Sequence, residues 1–147
     1  MITHVQAPEN LKAVLNSLHD QHGKQCQTIR GGTQVGLDGC PDEAVNKLMA
    51  GIGEKLNGML DGWKYSGVWT IRMNKGGFHV GHNHPDGHMS GVYYVQTGLG
   101  GDLQLGDKII KPEPETLIVF PSTTLHATTI YAGDEPRITV AFDVVRS

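Results

Sequence analysis

The sequence predicts an α+β protein, with an all-β core and helices confined to its N-terminal part. Three observations carry this. Residues 1–62 hold apolar side chains at helical spacing. From Trp63 onward the chain becomes short runs rich in β-branched and aromatic residues, cut by Gly, Pro and Asp. Glycine accounts for 20 of 147 residues, roughly twice ordinary usage, which suits many tight turns. Residues 1–147 are therefore expected to form a single domain, with 1–62 as helical N-terminal support and 63–147 as the β core. No internal repeat or low-complexity segment interrupts this reading.

The elements follow in order. Pro8-Glu9-Asn10 opens a pattern in which Leu11, Val14, Leu15 and Leu18 share one helical face, and Gly23 stops it. Residues 24–40 carry Gly31, Gly32 and Gly36 without a firm period and predict a loop with at most a short strand. Pro41-Asp42-Glu43 is a favourable first turn, with proline early and acids at the positive end of the helix dipole. Val45, Leu48, Met49, Ile52, Leu56 and Met59 then mark a second amphipathic helix ending near Gly62. Trp63 to Met73 is rich in β-formers, and Asn74-Lys75-Gly76-Gly77 predicts a turn. Further strands are expected at 78–82, 91–96, 102–105, 116–120, 127–131 and 137–145. Their brevity argues for an antiparallel sandwich or barrel and against alternating βαβ units.

Composition narrows the function. A hydrophobic fraction of 38% and a net charge of −3 fit a soluble protein without the basic excess of a nucleic-acid binder. No apolar run approaches the ~20 residues of a membrane span. Met1-Ile2-Thr3-His4 lacks the basic-then-apolar build of a signal peptide. Cys26 and Cys40 are too few for a disulfide framework and are not spaced as metal ligands, so a reducing cytoplasm is expected.

The densest chemistry is His82-Asn83-His84-Pro85-Asp86, with His126 some forty residues on. Side chains two apart on a strand face the same way, so His82 and His84 can grip one ion. A third ligand from a distant strand would leave coordination positions open for substrate. That is the pattern of a catalytic mononuclear metal, iron before others, and not of a structural one. The plain alternative is a polar surface loop that happens to hold histidines. Against it, Thr116–Phe120 reads as a buried strand, and Pro121–Leu125 leads from its end to His126. Arg137 opens Arg137-Ile138-Thr139-Val140-Ala141-Phe142, whose alternation sets Arg137 beside the small Thr139 and Ala141. Small neighbours leave room for an anion, and a guanidinium suits a carboxylate. His79 and His88 read as supporting or surface residues.

In order, His82-Asn83-His84-Pro85, Ser90-Gly91-Val92-Tyr93-Tyr94-Val95, Phe120-Pro121-Ser122, His126 and Arg137-Ile138-Thr139-Val140-Ala141-Phe142 resemble the 2-oxoglutarate/Fe(II)-dependent dioxygenases, in a small bacterial and phage branch. The resemblance covers about residues 63–145. It implies a double-stranded β-helix (jelly roll) and hydroxylation of an unidentified substrate, with O2 consumed and succinate and CO2 released. It implies Fe(II) as cofactor and 2-oxoglutarate as co-substrate. Carried over residue by residue, His82, His84 and His126 hold the metal, and Arg137, eleven residues past His126, anchors the far carboxylate of 2-oxoglutarate. Tyr93 or Tyr94 would contact the co-substrate, and alternation admits only one of them. The departure is at the middle ligand, where the family's acid is replaced by His84. The alternative is to start the motif at His84, which makes Asp86 the acid. A three-histidine site has one negative charge fewer and should hold Fe(II) less tightly.

Two rivals remain. A cupin-type metal enzyme that does not use 2-oxoglutarate resembles the chain in the spacings Gly76-x5-His82-x-His84 and Pro121-x4-His126. Its glutamate is missing, since His88 and Met89 stand near the expected place. A non-enzymatic ligand-binding jelly roll would hold no metal. A homodimer through an edge strand is left open.

Overall fold

The computed structural model describes residues 1–84 and 88–147. The elements in chain order are β1 (Ile2–His4), α1 (Leu11–His22), β2 (Ile29–Gly36), α2 (Glu43–Asn57), β3 (Trp63–His79), β4 (Met89–Gln96), β5 (Leu103–Leu105), β6 (Lys108–Ile110), β7 (Thr116–Pro121), β8 (His126–Thr128) and β9 (Arg137–Arg146). Six strands form one antiparallel sheet in the order β1-β7-β4-β9-β3-β2, and three form a second in the order β6-β5-β8.

Both helices lie where the apolar periodicity places them. Helix α1 stops at Gly23, whose N–H donates to the His19 carbonyl. Helix α2 starts at Asp42, whose carboxylate accepts from the N–H groups of Ala44 and Val45 and so satisfies two of the free donors of the first turn. It ends at Asn57, not near Gly62, because the N–H of Gly58 turns back onto the carbonyls of Lys55 and Leu56.

Leu11, Leu15, Val45, Leu48, Ile52 and Leu56 from the helices pack against one face of the large sheet. That face consists of Val68, Tyr93, Leu117, Val119, Ile138, Val140, Phe142 and Val144. At ~25 cal/mol per Å² of buried apolar surface, this layer is the main stabilising contact of the molecule. The opposite face, with Tyr94, Ile118 and Phe120, meets Leu103 of the small sheet.

The N-terminal part is more than helical support. It supplies β1, which pairs with β7, and β2, which closes the other edge of the large sheet. The glycines of 29–36 hid β2, because they weaken a strand's sequence signal without preventing pairing. Residues 74–77 are not a turn between two strands. Strand β3 runs through them, and they stand against Gly31 where the β2–β3 register shifts. The turn chemistry is real but is spent on a bulge: Gly76 has φ +89, and Gly76 and Gly77 exchange backbone hydrogen bonds with Tyr131. Strand β6 was not expected, and β8 is shorter than 127–131 suggested.

Candidate active site

His82 lies three residues beyond the end of β3 and forms an isolated antiparallel bridge with His126, the first residue of β8. Their backbones exchange two hydrogen bonds, His82 N–H to His126 O at 3.0 Å and His126 N–H to His82 O at 2.9 Å. Directly opposed residues of this kind present their side chains on one face, and the two rings lie 4.2 Å apart between centroids. His84 is outside any regular strand, yet its N–H donates to the Ser122 carbonyl at 2.8 Å. That bond continues the strand-like course, so the two-residue spacing of His82 and His84 keeps its meaning. One ring nitrogen from each of His82, His84 and His126 lies within 4.8 Å of the others.

The hydrogen bonds decide which nitrogens these are. His82 Nδ1 is 2.8 Å from the Val80 carbonyl, and His126 Nδ1 is 2.8 Å from the Thr124 carbonyl. A carbonyl can only accept, so both Nδ1 atoms carry hydrogen and both Nε2 atoms keep a lone pair. His84 Nδ1 donates to both oxygens of Asp143, each at 2.8 Å. Nε2 of each ring is therefore the nitrogen left to face an ion. Burial, the larger effect, lowers the pKa of His82, and it pushes His126 down to about 4. Burial thus favours the neutral form of both imidazoles, the form that can act as a ligand.

The same cavity takes in Arg137, Thr139 and Ala141 from β9, Tyr94 and Ser90 from β4, and His79, and it is walled by Trp69, Ile71, Leu103 and Phe120. Arg137 is buried. Its Nε donates to the Gly101 carbonyl at 3.2 Å, and its guanidinium carbon stands 5.3 Å from the centre of the Tyr94 ring. Burial holds its pKa below the ordinary arginine value. The Tyr94 hydroxyl is buried without a hydrogen-bond partner. Burial raises its pKa, opposed by the Arg137 charge.

The predicted residues fall into place unevenly. His82, His84, His126, Arg137 and Tyr94 meet around one cavity. Tyr93 points to the helix side, where its hydroxyl donates to the Val5 carbonyl. Asp86, the alternative ligand, lies outside the described residues. His79 is in the cavity wall, not at the surface. It stacks on His82 with centroids 4.2 Å apart, shares a 2.8 Å hydrogen bond with Thr28, and is held at about 3 mainly by burial. Asp143 was missed. The signal was present, since it continues the alternation Arg137, Thr139, Ala141 by two further residues.

The comparisons agree with this geometry. A family model described as "Putative 2OG-Fe(II) oxygenase" matches residues 67–109 and 104–143, together more than half of the chain. The chain belongs to this family. No curated protein matches it. Among solved structures, it is similar to a Pseudomonas putida prolyl-4-hydroxylase, with TM-score 0.78 and 20% identity over 100% of this chain and 92% of that one. A viral collagen prolyl hydroxylase from Paramecium Bursaria Chlorella virus-1, in complex with 2OG, gives TM-score 0.75 and 16% identity over 98% and 96%. A Trichoplax adhaerens prolyl hydroxylase in complex with a hypoxia inducible factor peptide fragment gives 0.73 and 17% over 97% and 82%. These likenesses establish the double-stranded β-helix fold.

The oxygenase thus uses Fe(II) and 2-oxoglutarate, and neither rival reading is favoured. Its own residues fit that pair. Three imidazoles converge, and a buried cation and an orphaned hydroxyl face the same space. Among the described residues no helix is long and apolar enough to cross a membrane.

Proposed function

We propose that this oxygenase hydroxylates a C–H bond of a small or peptidyl substrate, with Fe(II) held by Nε2 of His82, His84 and His126. Arg137 and Tyr94 hold the far carboxylate of 2-oxoglutarate. The observation that carries this reading is that the histidine cluster and the buried Arg137 line one cavity. When bound, iron and 2-oxoglutarate supply the oxidising power for hydroxylation by O2, releasing succinate and CO2.

The chain supplies placement and exclusion of water. Backbone carbonyls fix the tautomers of His82 and His126. Arg137 offers its terminal nitrogens to the cavity, for among the described residues its hydrogen bond is made by Nε alone. Tyr94, opposite Thr139 across the β4–β9 ladder, can give its hydroxyl proton to the same carboxylate. Ala141 leaves room between anchor and metal, while Trp69 and Phe120 keep the wall apolar.

Prolyl peptides are the first substrates to screen, since the fold is shared with prolyl hydroxylases. A net charge of −3 disfavours nucleic acid, and two free thiols, Cys26 and Cys40, suit a reducing cytoplasm. Light scattering settles the homodimer.

The test is anaerobic titration of the Fe(II)-loaded protein with 2-oxoglutarate, following the weak visible charge-transfer band of a chelated keto acid. The band should appear in the wild type and be absent in His126→Ala, which should hold no metal. Tight metal binding without a band would refute the 2-oxoglutarate assignment. Stoichiometric metal in His126→Ala would remove that residue as a ligand.

A further inference from the structure

We propose that Asp143 is the charge partner of the metal centre: it binds the back of His84 and makes the imidazole and carboxylate act together as an anionic ligand. This rests on the three-histidine reading above. Three imidazoles carry no negative charge, and a divalent ion in a partly dry cavity favours one.

The geometry supplies the charge one bond further out. His84 Nδ1 lies 2.8 Å from each Asp143 oxygen, so its N–H is shared by a carboxylate set symmetrically behind it. A hydrogen bond of this kind fixes ring orientation and raises the electron density at Nε2. Asp143 is in turn held in place. The Ser90 hydroxyl donates to Asp143 Oδ1 at 2.6 Å. With its proton so committed, Ser90 Oγ accepts from the Ser122 hydroxyl at 2.7 Å. Ser90 and Ser122 are buried. Ser122 also accepts the His84 backbone N–H through its carbonyl. One hydrogen-bonded group therefore fixes both the backbone and the ring of His84.

An exposed ion pair of convenience would look different. The side chains of His84 and Asp143 are only 17% and 18% exposed. Asp143 stands opposite Ser90 in the β4–β9 register, so the contact is set by the ladder and not by a flexible side chain. Among the described residues His82 and His126 have carbonyls behind them, not carboxylates, so of the three rings it is His84 that is bonded directly to the Asp143 charge, which reaches the other two through space. His84 occupies the place where the sequence departs from the family's acid.

The test is direct titration of the metal-free full-length chain with Co(II), reading the dissociation constant and the visible spectrum of the bound ion. Asp143→Asn keeps the shape and an acceptor oxygen but removes the charge. It should weaken Co(II) about 10- to 100-fold and alter the spectrum, with the melting temperature of the metal-free protein unchanged. Ser90→Ala, which frees the carboxylate, should give a smaller loss and serves if Asp143→Asn does not fold.

Wild-type affinity in both Asp143→Asn and Ser90→Ala would overturn the proposal. If His84→Ala and His126→Ala bind Co(II) as the wild type does, the three-histidine reading itself fails and this inference falls with it. If those two lose the metal and Asp143→Asn does not, only the role of Asp143 is refuted.

Discussion

Replacing Arg137 by methionine separates what this residue does for binding from what it does for the fold. Methionine keeps the length and the apolar stem and removes the charge. The co-substrate would lose charge-assisted hydrogen bonds worth ~1.5–3 kcal/mol, so its affinity should fall roughly 10- to 200-fold. The fold stands to lose little. Arg137 is a buried cation whose Nε donates to the Gly101 carbonyl at 3.2 Å and whose guanidinium stands against Tyr94, with Tyr131 and Asp102 near enough to act on its charge. Losing that hydrogen bond costs ~1 kcal/mol, and removing the desolvation penalty of a buried charge offsets it. The metal-free variant should therefore unfold in urea within ~2 kcal/mol of the wild type. The assay is anaerobic titration of the Fe(II) protein with 2-oxoglutarate, beside a metal count and the unfolding curve. Co-substrate affinity within threefold of the wild type would refute the anchor, and loss of the metal would show that Arg137 supports the histidines instead.

Other outcomes follow from the same contacts. His19 is buried under the large sheet and is pushed down to about 4, first by burial and then by Arg72. Its folded value lies below its unfolded one, so its stabilising share is complete above about pH 6.5 and is lost as pH falls toward 4. Urea unfolding at pH 7 and 4.5 should show the wild type losing ~2–3 kcal/mol more than His19→Gln, and equal losses would refute the assignment. A Cβ on Gly91 would meet the buried Phe142 ring at 2.1 Å, so Gly91→Ala should cost at least ~2 kcal/mol in denaturant unfolding; a neutral result would show that the ring can move. Because burial pushes His126 down to about 4, that imidazole is already neutral at pH 6, and metal uptake there should release fewer than three protons. Calorimetry in buffers of different ionisation heat measures this, and release of three would contradict that lowered value.

Much of the site was legible because it rests on period two. His82 with His84, Tyr94 against Tyr93, and Arg137 with Thr139 and Ala141 are all consequences of alternation, which local sequence displays. The motif residues now have physical reasons. Phe120 packs edge-on against His126, with centroids 4.9 Å apart, Ser122 closes the group behind His84, and Gly91 is small because Phe142 lies over it. What was hidden depends on pairing between distant segments. Strand β2 is stabilised by β3 across a glycine-rich stretch that carries little signal alone. The excursion at 74–77 reads as a turn until its partners, Gly31 and Tyr131, are known. Asp143 lay within reach of the same alternation. An acid near the end of a strand is usually solvated, and only the return of His84 onto β9 gives this one a role.

Strand β9 explains why the helices matter to a site they do not touch. Arg137, Thr139, Ala141 and Asp143 face the cavity, while Ile138, Val140, Phe142 and Val144 lie under the helices. The proposed anchor and the proposed charge partner are thus six residues apart on one strand, about 20 Å at the usual rise, at opposite ends of the site. A slip of one residue would turn both toward the helices and bring apolar side chains into the cavity. β9 is paired on both sides, by β3 and β4, and the apolar layer on α1 and α2 accepts only its even-numbered face. A polar link adds to this. Thr70 gives its hydroxyl proton to the Thr139 carbonyl at 2.8 Å, so its oxygen accepts from His19 Nε2 at 3.2 Å. That requires the His19 tautomer whose Nδ1 accepts from the Thr33 hydroxyl at 2.7 Å. Helix α1 is thereby tied through β3 to the stretch of β9 between Arg137 and Ala141, and acid that protonates His19 should loosen the register on which both ends of the site depend.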